Sequence, residues 1–307
     1  MGFRRSTTLA VHSLALTASL WAWQSKDTDP VFRVDVRLVR LLATVKDNHG
    51  RPVAGLTEKD FSIRDNGVAQ SISLFERQTA QPLSVAVLLD VSGSAAKEMK
   101  YQTDAVHRFV KALFGEGNPE DRAALFAFNW QVERTVGFTR NTTRFIEGMK
   151  RLKPEAGTSM YDAILLASEE LEEREGRHVL VVVTDGADTV SGTNYAAALR
   201  AAHKADAVVY PILSVPITNE AGRNVGGENA LTTIAHSTGG RLFAPGTNGL
   251  DQAFADILRD LRTQYLIGYY PRGVPRTKEP YHRVEVQMQN PALHVITRSG
   301  YYEDTSR

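Results

Sequence analysis

One short stretch of this sequence, LLDVSGSAA, places an acid and two hydroxyls directly after an apolar run. Asp90 ends the run, and Ser92 and Ser94 follow it at alternate positions on either side of Gly93. In an extended turn, residues two apart can point the same way, and a glycine permits a tight bend between them. The spacing therefore predicts that these three side chains gather their oxygen atoms at one place.

Two later stretches contain the same kind of side chain. Thr158 follows a glycine in EAGTSMYDA, just before a helical pattern, and Asp185 follows the apolar run in VVVTDGADT. In an open sheet of parallel strands, ligands bind beyond the carboxyl ends of the strands, where the strand order reverses. We therefore expect Thr158 and Asp185 to join the first three residues at that edge.

The predicted site offers oxygen and neither nitrogen nor sulfur, which suits a hard divalent cation such as Mg²⁺ or Mn²⁺. Two carboxylates balance the charge of the ion, and hydroxyls add ligands without further charge. One coordination position can then stay open to an outside ligand. The hypothesis is a metal site formed by Asp90, Ser92, Ser94, Thr158 and Asp185. The alternatives are turn aspartates and helix caps, with Ser94 and Thr158 as the capping residues.

The segments that would position these residues alternate between strands and helices over residues 82–263. SVAVLLD (84–90) and RHVLVVVTD (177–185) are continuous apolar runs, which are typical of strands covered on both faces. The stretches between and after them, such as residues 158–174, repeat apolar residues with a helical period. The sequence therefore predicts an α/β domain with a doubly wound, mostly parallel, Rossmann-like sheet and helices on both faces.

The segments on either side, residues 31–80 and 264–303, indicate β structure. Both contain alternating apolar and polar runs, and Asn66–Gly67 between two such runs is a strong signal for a β-hairpin. A segment of about 50 residues is marginal as an independent sheet. We therefore expect the C-terminal strands to complete a small β domain that the N-terminal segment begins.

The first residues, 1–22, have the pattern of a signal peptide. Arg4 and Arg5 form a basic start, and the apolar stretch after them is short for a membrane span. This segment predicts an exported protein, periplasmic or extracellular. A short uncleaved anchor is the alternative.

Composition narrows the class of partner. The 307 residues include 36 Lys and Arg against 35 Asp and Glu, a net charge of +1, so no basic excess favours nucleic acid or an anionic membrane. The chain contains no cysteine, which excludes a disulfide-linked partner, thiol catalysis and cysteine-rich zinc sites.

The motif DVSGS, then a Gly-Thr loop, then TDG resembles the metal-ion-dependent adhesion site of von Willebrand factor type A (VWA) domains. The flanking sequences LTEKDFSIRDNG and QYLIGYYP resemble those of a group of exported bacterial proteins with a related domain. The resemblance implies an antiparallel edge strand at QVERTVGF (131–138). It also implies a binding module rather than an enzyme, with Mg²⁺ or Mn²⁺ at the five residues. The expected partner is a protein that donates a carboxylate to the metal.

Two other functions stay open. An aspartate at a strand end can accept a phosphoryl group, so the chain could be a metal-dependent hydrolase or phosphoryl-transfer enzyme. Against this, Ser92 stands where such sites commonly carry a second acid, and the sequence has no Gly-rich phosphate loop or nucleophile elbow. The other alternative is a structural domain that binds no metal.

Several residues near the motif receive ordinary interpretations. We expect Asp162 and Asp188 to be solvated or capping residues, and Trp130 to pack against an edge strand, although its loop is also a candidate partner surface with residues 189–194. We expect the histidines of the helical stretches to be partly exposed, at positions 107, 203 and 236.

Overall fold

The computed structural model describes residue 2 and residues 38–77, 81–186, 188–214, 225–245, 249–275 and 280–303. Apart from residue 2, the predicted signal segment lies outside the described residues, as does the start of the N-terminal β segment. From residue 38 onward, the described residues belong to one compact unit, Val36–Arg307. No helix in the described part of the chain is long and apolar enough to cross a membrane.

The strands run along the described chain as follows: β1 (Val39–Asp47), β2 (Phe61–Asp65), β3 (Val68–Gln70), β4 (Ile72–Arg77), β5 (Leu83–Asp90), β6 (Arg122–Phe128), β7 (Val132–Thr139), β8 (Arg177–Thr184), β9 (Ala207–Leu213), β10 (Tyr265–Tyr269), β11 (Tyr281–Met288), β12 (Leu293–Ile296) and β13 (Gly300–Tyr302). The helices are α1 (Met99–Glu116), α2 (Thr142–Met149), α3 (Met160–Glu172), α4 (Tyr195–Lys204), α5 (Val225–Thr238) and α6 (Leu250–Arg262). Short 3₁₀ turns occupy Glu58–Asp60 and Ala95–Lys97.

The central sheet has the strand order β7-β6-β5-β8-β9. β5 pairs in parallel with β6 and β8, and β8 pairs in parallel with β9. Every residue of β5 and β8 is buried, because helices cover both faces of the sheet. β7 runs antiparallel beside β6 at the edge. The α/β fold class and the antiparallel edge strand are therefore confirmed.

Alternate residues of β5 face opposite sides of the sheet. Val85 lies in a core with Phe109 of α1 and Phe254 of α6, whose rings stack with centroids 4.6 Å apart. Ala86 lies in a second core, with Ile164 of α3. Each large apolar side chain that is fully buried contributes roughly 1.5–3 kcal/mol. The two cores fix the height and direction of β5, and hence the place where Asp90 ends it.

Helix α2 is absent from the sequence-based prediction. Asn141 caps this helix by accepting hydrogen bonds from the N–H groups of Thr143 and Arg144. Phe145 is fully buried and anchors the helix in the core. One capping asparagine and one apolar anchor give a weak signal in a helix of 8 residues.

The flanking segments form two four-stranded antiparallel sheets, in the orders β12-β1-β10-β4 and β13-β11-β2-β3. The N-terminal strand β1 pairs with the C-terminal strands β10 and β12, and β2 pairs with β11. The β2–β3 hairpin turns at Asn66 and Gly67, whose φ angles of 46° and 83° lie in the left-handed region. The two flanks therefore build these sheets together, as their alternating runs predict.

A buried carboxylate joins the two flanking sheets. Asp65 on β2 is fully buried, and its Oδ2 accepts hydrogen bonds from the hydroxyls of Tyr269 on β10 (2.9 Å) and Tyr301 on β13 (2.8 Å). Its Oδ1 lies 2.9 Å from Nδ1 of His282 on β11. Burial and the neighbouring carboxylate raise the pKa of Tyr269, so its hydroxyl stays protonated and donates. Because Tyr269 belongs to the other sheet, its hydrogen bond connects the two.

We predict that Tyr269→Phe destabilises the protein by about 1–3 kcal/mol, because it removes a donor from a buried charged acceptor. The matched control is Tyr270→Phe, one residue along, where the side chain is 43% exposed. Urea unfolding of both variants measures the difference. Equal stability of the two variants would show that the hydrogen bond to Asp65 does not hold the sheets together.

Candidate metal site

Asp90 is the last residue of β5, the middle strand of the central sheet, and it is fully buried. Its Oδ1 accepts a hydrogen bond from the N–H of Ser92 (2.8 Å). Its Oδ2 accepts one from the hydroxyl of Thr184, the last residue of β8 (2.7 Å). The carboxylate is therefore held between the ends of two neighbouring parallel strands, where the strand order reverses.

The buried position makes the charge of Asp90 costly. Burial raises the pKa of its carboxyl group, and the negative charge of Asp185 raises it further, whereas hydrogen bonds from Ser92 and Thr184 act in the opposite direction. Within the described part of the chain, Asp90 forms no ion pair with a lysine, arginine or histidine. A cation placed beside it would favour the charged form and remove this cost.

A chain of hydrogen bonds connects Asp90 to three other candidate ligands. The Oγ atoms of Ser92 and Ser94 lie 3.1 Å apart, and the hydroxyl of Ser94 donates to Oδ2 of Asp185 at 2.5 Å. Ser94 precedes the 3₁₀ turn at Ala95–Lys97, but its side chain makes no capping hydrogen bond. The interpretation of Ser94 as a helix cap is therefore wrong.

The loop that carries Thr158 lies against the loop that carries the two serines. Glu155 forms a parallel β-bridge with Ser92, and its N–H donates to the carbonyl oxygen of Val91 (3.1 Å). On the far side of Thr158, the N–H of Ser159 donates to the carbonyl oxygen of Asn129 (2.7 Å). Thr158 itself is buried, and Ser159, not Thr158, is the residue that precedes α3. The structure brings Thr158 to the same edge without a direct hydrogen bond to the other four side chains.

Gly157 sets the path of this loop. Its φ of +91° lies in the left-handed region, and a Cβ there would stand 3.1 Å from Cα of Trp130 and 3.2 Å from Cγ2 of Val190. Gly93, in contrast, has an ordinary φ, and a Cβ would meet no described atom within 4 Å. The close approach at residue 157 therefore requires glycine, while the turn between the serines does not.

Two nearby acids hold the rim of the site. Asp188 accepts hydrogen bonds from the N–H of Tyr161 (2.9 Å) and the hydroxyl of Ser191 (2.6 Å). Asp162 accepts from the N–H groups of Gly192 (2.9 Å) and Thr193 (2.8 Å). Asp188 thus caps the start of α3, as expected, and both acids fix the loop of residues 188–193 against that helix.

Three further residues differ from the sequence-based expectation or were missed by it. Trp130, expected to pack against an edge strand, is instead 56% exposed, with Nε1 donating to Oε2 of Glu155 at 2.5 Å. His203 is buried rather than partly exposed. Thr184, whose hydroxyl orients Asp90, was not singled out, although its place directly before Asp185 at a strand end is a usable signal.

The arrangement can offer oxygen ligands from two carboxylates and up to three hydroxyls. No group of three or more His, Cys, Asp or Glu side chains in the described part of the chain is placed to hold a metal ion. Any ion at this edge would therefore depend on the serine and threonine hydroxyls as well as the acids.

We predict that Asp90→Asn stabilises the metal-free protein at pH 7 by about 1–2 kcal/mol, because it removes a buried, unpaired charge and keeps the shape. The pKa of Asp90 is raised in the folded state, so the parent chain gains stability as pH falls through that pKa. The advantage of the variant should therefore shrink toward pH 4.

Chemical denaturation in chelator at several pH values measures this difference. Asp104→Asn, an exposed acid on α1 paired with Lys100, is the control, with an expected change within about 0.5 kcal/mol. An Asp90→Asn variant less stable than the parent at pH 7 would contradict the assignment of an uncompensated charge.

We also predict that Gly157→Ala lowers the free energy of unfolding by about 1–3 kcal/mol, because of its left-handed backbone and the crowding at Trp130. The control is Gly93→Ala, which we expect to be nearly neutral. Thermal unfolding of both compares them, and similar losses would show that the loop is not constrained at residue 157.

The chain resembles known proteins in sequence and in fold. The model of the von Willebrand factor type A domain family matches residues 85–187. No curated protein matches the chain. Similar solved structures include the von Willebrand factor domain of the type V pilus tip protein Mfa5 of Porphyromonas gingivalis, at 14% identity over 59% of this chain and 95% of that chain, with a TM-score of 0.49.

Two other structures show the same level of likeness. An aerotolerance-related membrane protein of Bacteroides fragilis is 18% identical over 58% of this chain and 98% of that chain, with a TM-score of 0.46. The minor pilin PilB of Streptococcus sanguinis is 15% identical over 60% of this chain and 62% of that chain, with a TM-score of 0.47. At these values the likenesses carry no argument about function. The family match covers most of the strand that ends in Asp90 and the whole of the strand that ends in Thr184, so residues 85–187 are similar to von Willebrand factor type A domains.

Proposed function

We propose that this protein is an exported binding module that uses a divalent cation to engage an acidic side chain of a protein partner. The residues that would hold the ion are Asp90, Ser92, Ser94, Thr158 and Asp185. The observation that supports this most directly is the hydrogen-bonded chain from Asp90 through the two serines to Asp185. It gathers oxygen ligands from two strand ends around a buried carboxylate that has no cationic partner among the described residues.

The donor set fits Mg²⁺ or Mn²⁺. All the side chains are hard oxygen ligands, and two of them are carboxylates, which suffice to balance a dication. The hydroxyl of Ser94, which donates to Asp185, can rotate to present a lone pair instead. When bound, the ion would supply a positive charge and an open position that a carboxylate from outside can ligate.

Acidic residues around the site make the binding of an acidic partner depend on the cation. Asp90 and Asp185 give this edge a negative charge. Glu155 and Asp188 lie in the loops around it, and Asp162 lies in the first turn of α3. An acidic partner is therefore repelled by the metal-free edge, since like charges that lose water repel strongly. We therefore expect the partner to bind when the cation is present and to be released when it is removed.

The surface beside the site can add contacts with the partner to the one made by the partner's carboxylate. Trp130 and Val190 are 56% and 48% exposed, and both lie against Gly157. Exposed aromatic side chains often anchor interfaces. The indole of Trp130 is oriented by its hydrogen bond to Glu155, so less freedom is lost when a partner packs on it.

Export rests on the N-terminal pattern of residues 1–22 and places the binding edge in the periplasm or outside the cell. In this role none of the five residues is catalytic. A phosphatase and protease activity panel on the purified protein would test the enzymatic alternative, and no turnover is expected.

We predict that calorimetric titration with Mn²⁺ or Mg²⁺ shows about one site per chain, and that Asp90→Asn abolishes it. Thr158→Val should weaken binding about tenfold or less, since it removes one neutral ligand. Asp104→Asn, the exposed acid used as a control above, should bind like the parent. Undiminished binding by Asp90→Asn would place the ion elsewhere and refute the assignment.

We also propose a test of the metal as a bridge between the site and the partner's carboxylate. It requires a partner that is isolated in Mg²⁺ and released by chelator. Each candidate acid of the partner is changed to its amide, and one such change should remove the metal-dependent part of the affinity. If chelator still releases the partner but no amide change weakens binding, the metal shapes the loops without bridging.

A further inference from the structure

A small cavity lies at the opposite end of the central sheet from Asp90. Strands β5, β8 and β9 are parallel, so the residues that begin β8 and β9 lie at the end remote from the candidate metal site. Arg177 and Ala207, the first residues of these strands, line a cavity of about 40 Å³. Arg40 and Leu266, from β1 and β10 of a flanking sheet, line its other side. The cavity therefore sits where the central sheet meets that flanking sheet.

The lining of the cavity is strongly basic. Arg40, Arg177 and Arg298 line it, and Asp206 is the one acid among the lining residues that the structure describes. Three positive charges against one negative charge leave a formal charge of +2. A net positive charge around one cavity favours an anion inside it.

Arg177 is the most constrained of these groups. The residue is buried, and its Nη1 donates to the carbonyl oxygen of Leu261 at 2.6 Å. It forms no salt bridge with a carboxylate in the described part of the chain. Burial lowers the pKa of Arg177 to about 10, so the guanidinium is still charged at neutral pH.

Two nitrogen atoms of the lining are buried without a hydrogen-bond partner among the described residues. They are Nε of Arg298 and Nδ1 of His203. The side chain of Arg298 is 10% exposed and pairs with Asp206 through Nη1, and His203 is 4% exposed. Burial and the charge of Arg298 lower the pKa of His203 to about 4, so its ring is neutral and keeps one N–H to donate. Buried polar nitrogen atoms without a partner are rare and call for a ligand or water.

We propose that this cavity binds a small tetrahedral oxyanion, phosphate or sulfate, between Arg40, Arg177 and Arg298. Guanidinium groups bind such anions through paired N–H···O hydrogen bonds, which are among the stronger ones in proteins. One water needs roughly 10–15 Å³ of cavity on this measure, so the space suits a single small group rather than a nucleotide. The bound anion would join the central sheet to β1 and to the segment after β12.

The test uses the full chain in chelator, which prevents any metal from recruiting phosphate. Calorimetry and thermal unfolding compare potassium phosphate, potassium sulfate, potassium acetate and potassium chloride at equal ionic strength. Phosphate and sulfate should bind at one site and raise the melting temperature above the chloride value. Acetate should do so less, because it carries one charge. Equal effects of all four salts would overturn the proposal.

Two variants of opposite expected sign locate the site. Arg40→Gln, an exposed change that leaves the fold intact, should weaken phosphate binding about tenfold. Asp206→Asn should tighten binding several-fold, because it removes the one negative charge and releases Arg298. Asn is suited to this position, since residue 206 has a φ of +50°.

The matched control is Arg144→Gln, an exposed arginine on α2 remote from the cavity in the fold. It should bind phosphate like the parent chain. If Arg40→Gln and Arg144→Gln lose the same amount, or if Asp206→Asn weakens binding, the anion binds elsewhere and the assignment is wrong.

Discussion

Burying the carboxylate of Asp90 at the end of the middle strand costs free energy that the surrounding sequence recovers only in part. The N–H of Ser92 and the hydroxyl of Thr184 each donate a hydrogen bond to one of its oxygen atoms. Ser92 lies just beyond the end of β5, and Thr184 ends β8, the parallel strand beside it. The remaining cost is electrostatic, and a positive charge offsets it best. The rest of the domain can be understood as the support that keeps this charge in place.

The site depends on contacts between loops more than on any single element. The loop of Thr158 is held by backbone hydrogen bonds to residues 91 and 129, and the loop of residues 188–193 is held by Asp162 and Asp188. Each loop therefore takes its position from its neighbours. Such coupling explains why a small change at Gly157, directly before Thr158, would also displace the neighbouring loops at this edge.

Much of the architecture follows from local sequence. The unbroken apolar runs before Asp90 and Asp185 indicate strands buried on both faces, and Asn66–Gly67 specifies its hairpin through the left-handed backbone that both residues tolerate. Other features depend on residues distant in sequence, and local patterns do not reveal them. The hydroxyl of Ser94 bonds to Asp185 instead of capping a helix, and His203 is buried by the flanking strands.

The strand that ends in Asp90 begins only a few residues after β4, a strand of the flanking sheets. A force applied between the Asp90 end and the flanking strands would pull on β5 lengthwise. β5 is hydrogen-bonded to β6 and β8 along nearly its whole length. A lengthwise pull loads those bonds in shear, so they must break together rather than one after another, and β5 is thereby suited to carry tension between the two ends of the molecule.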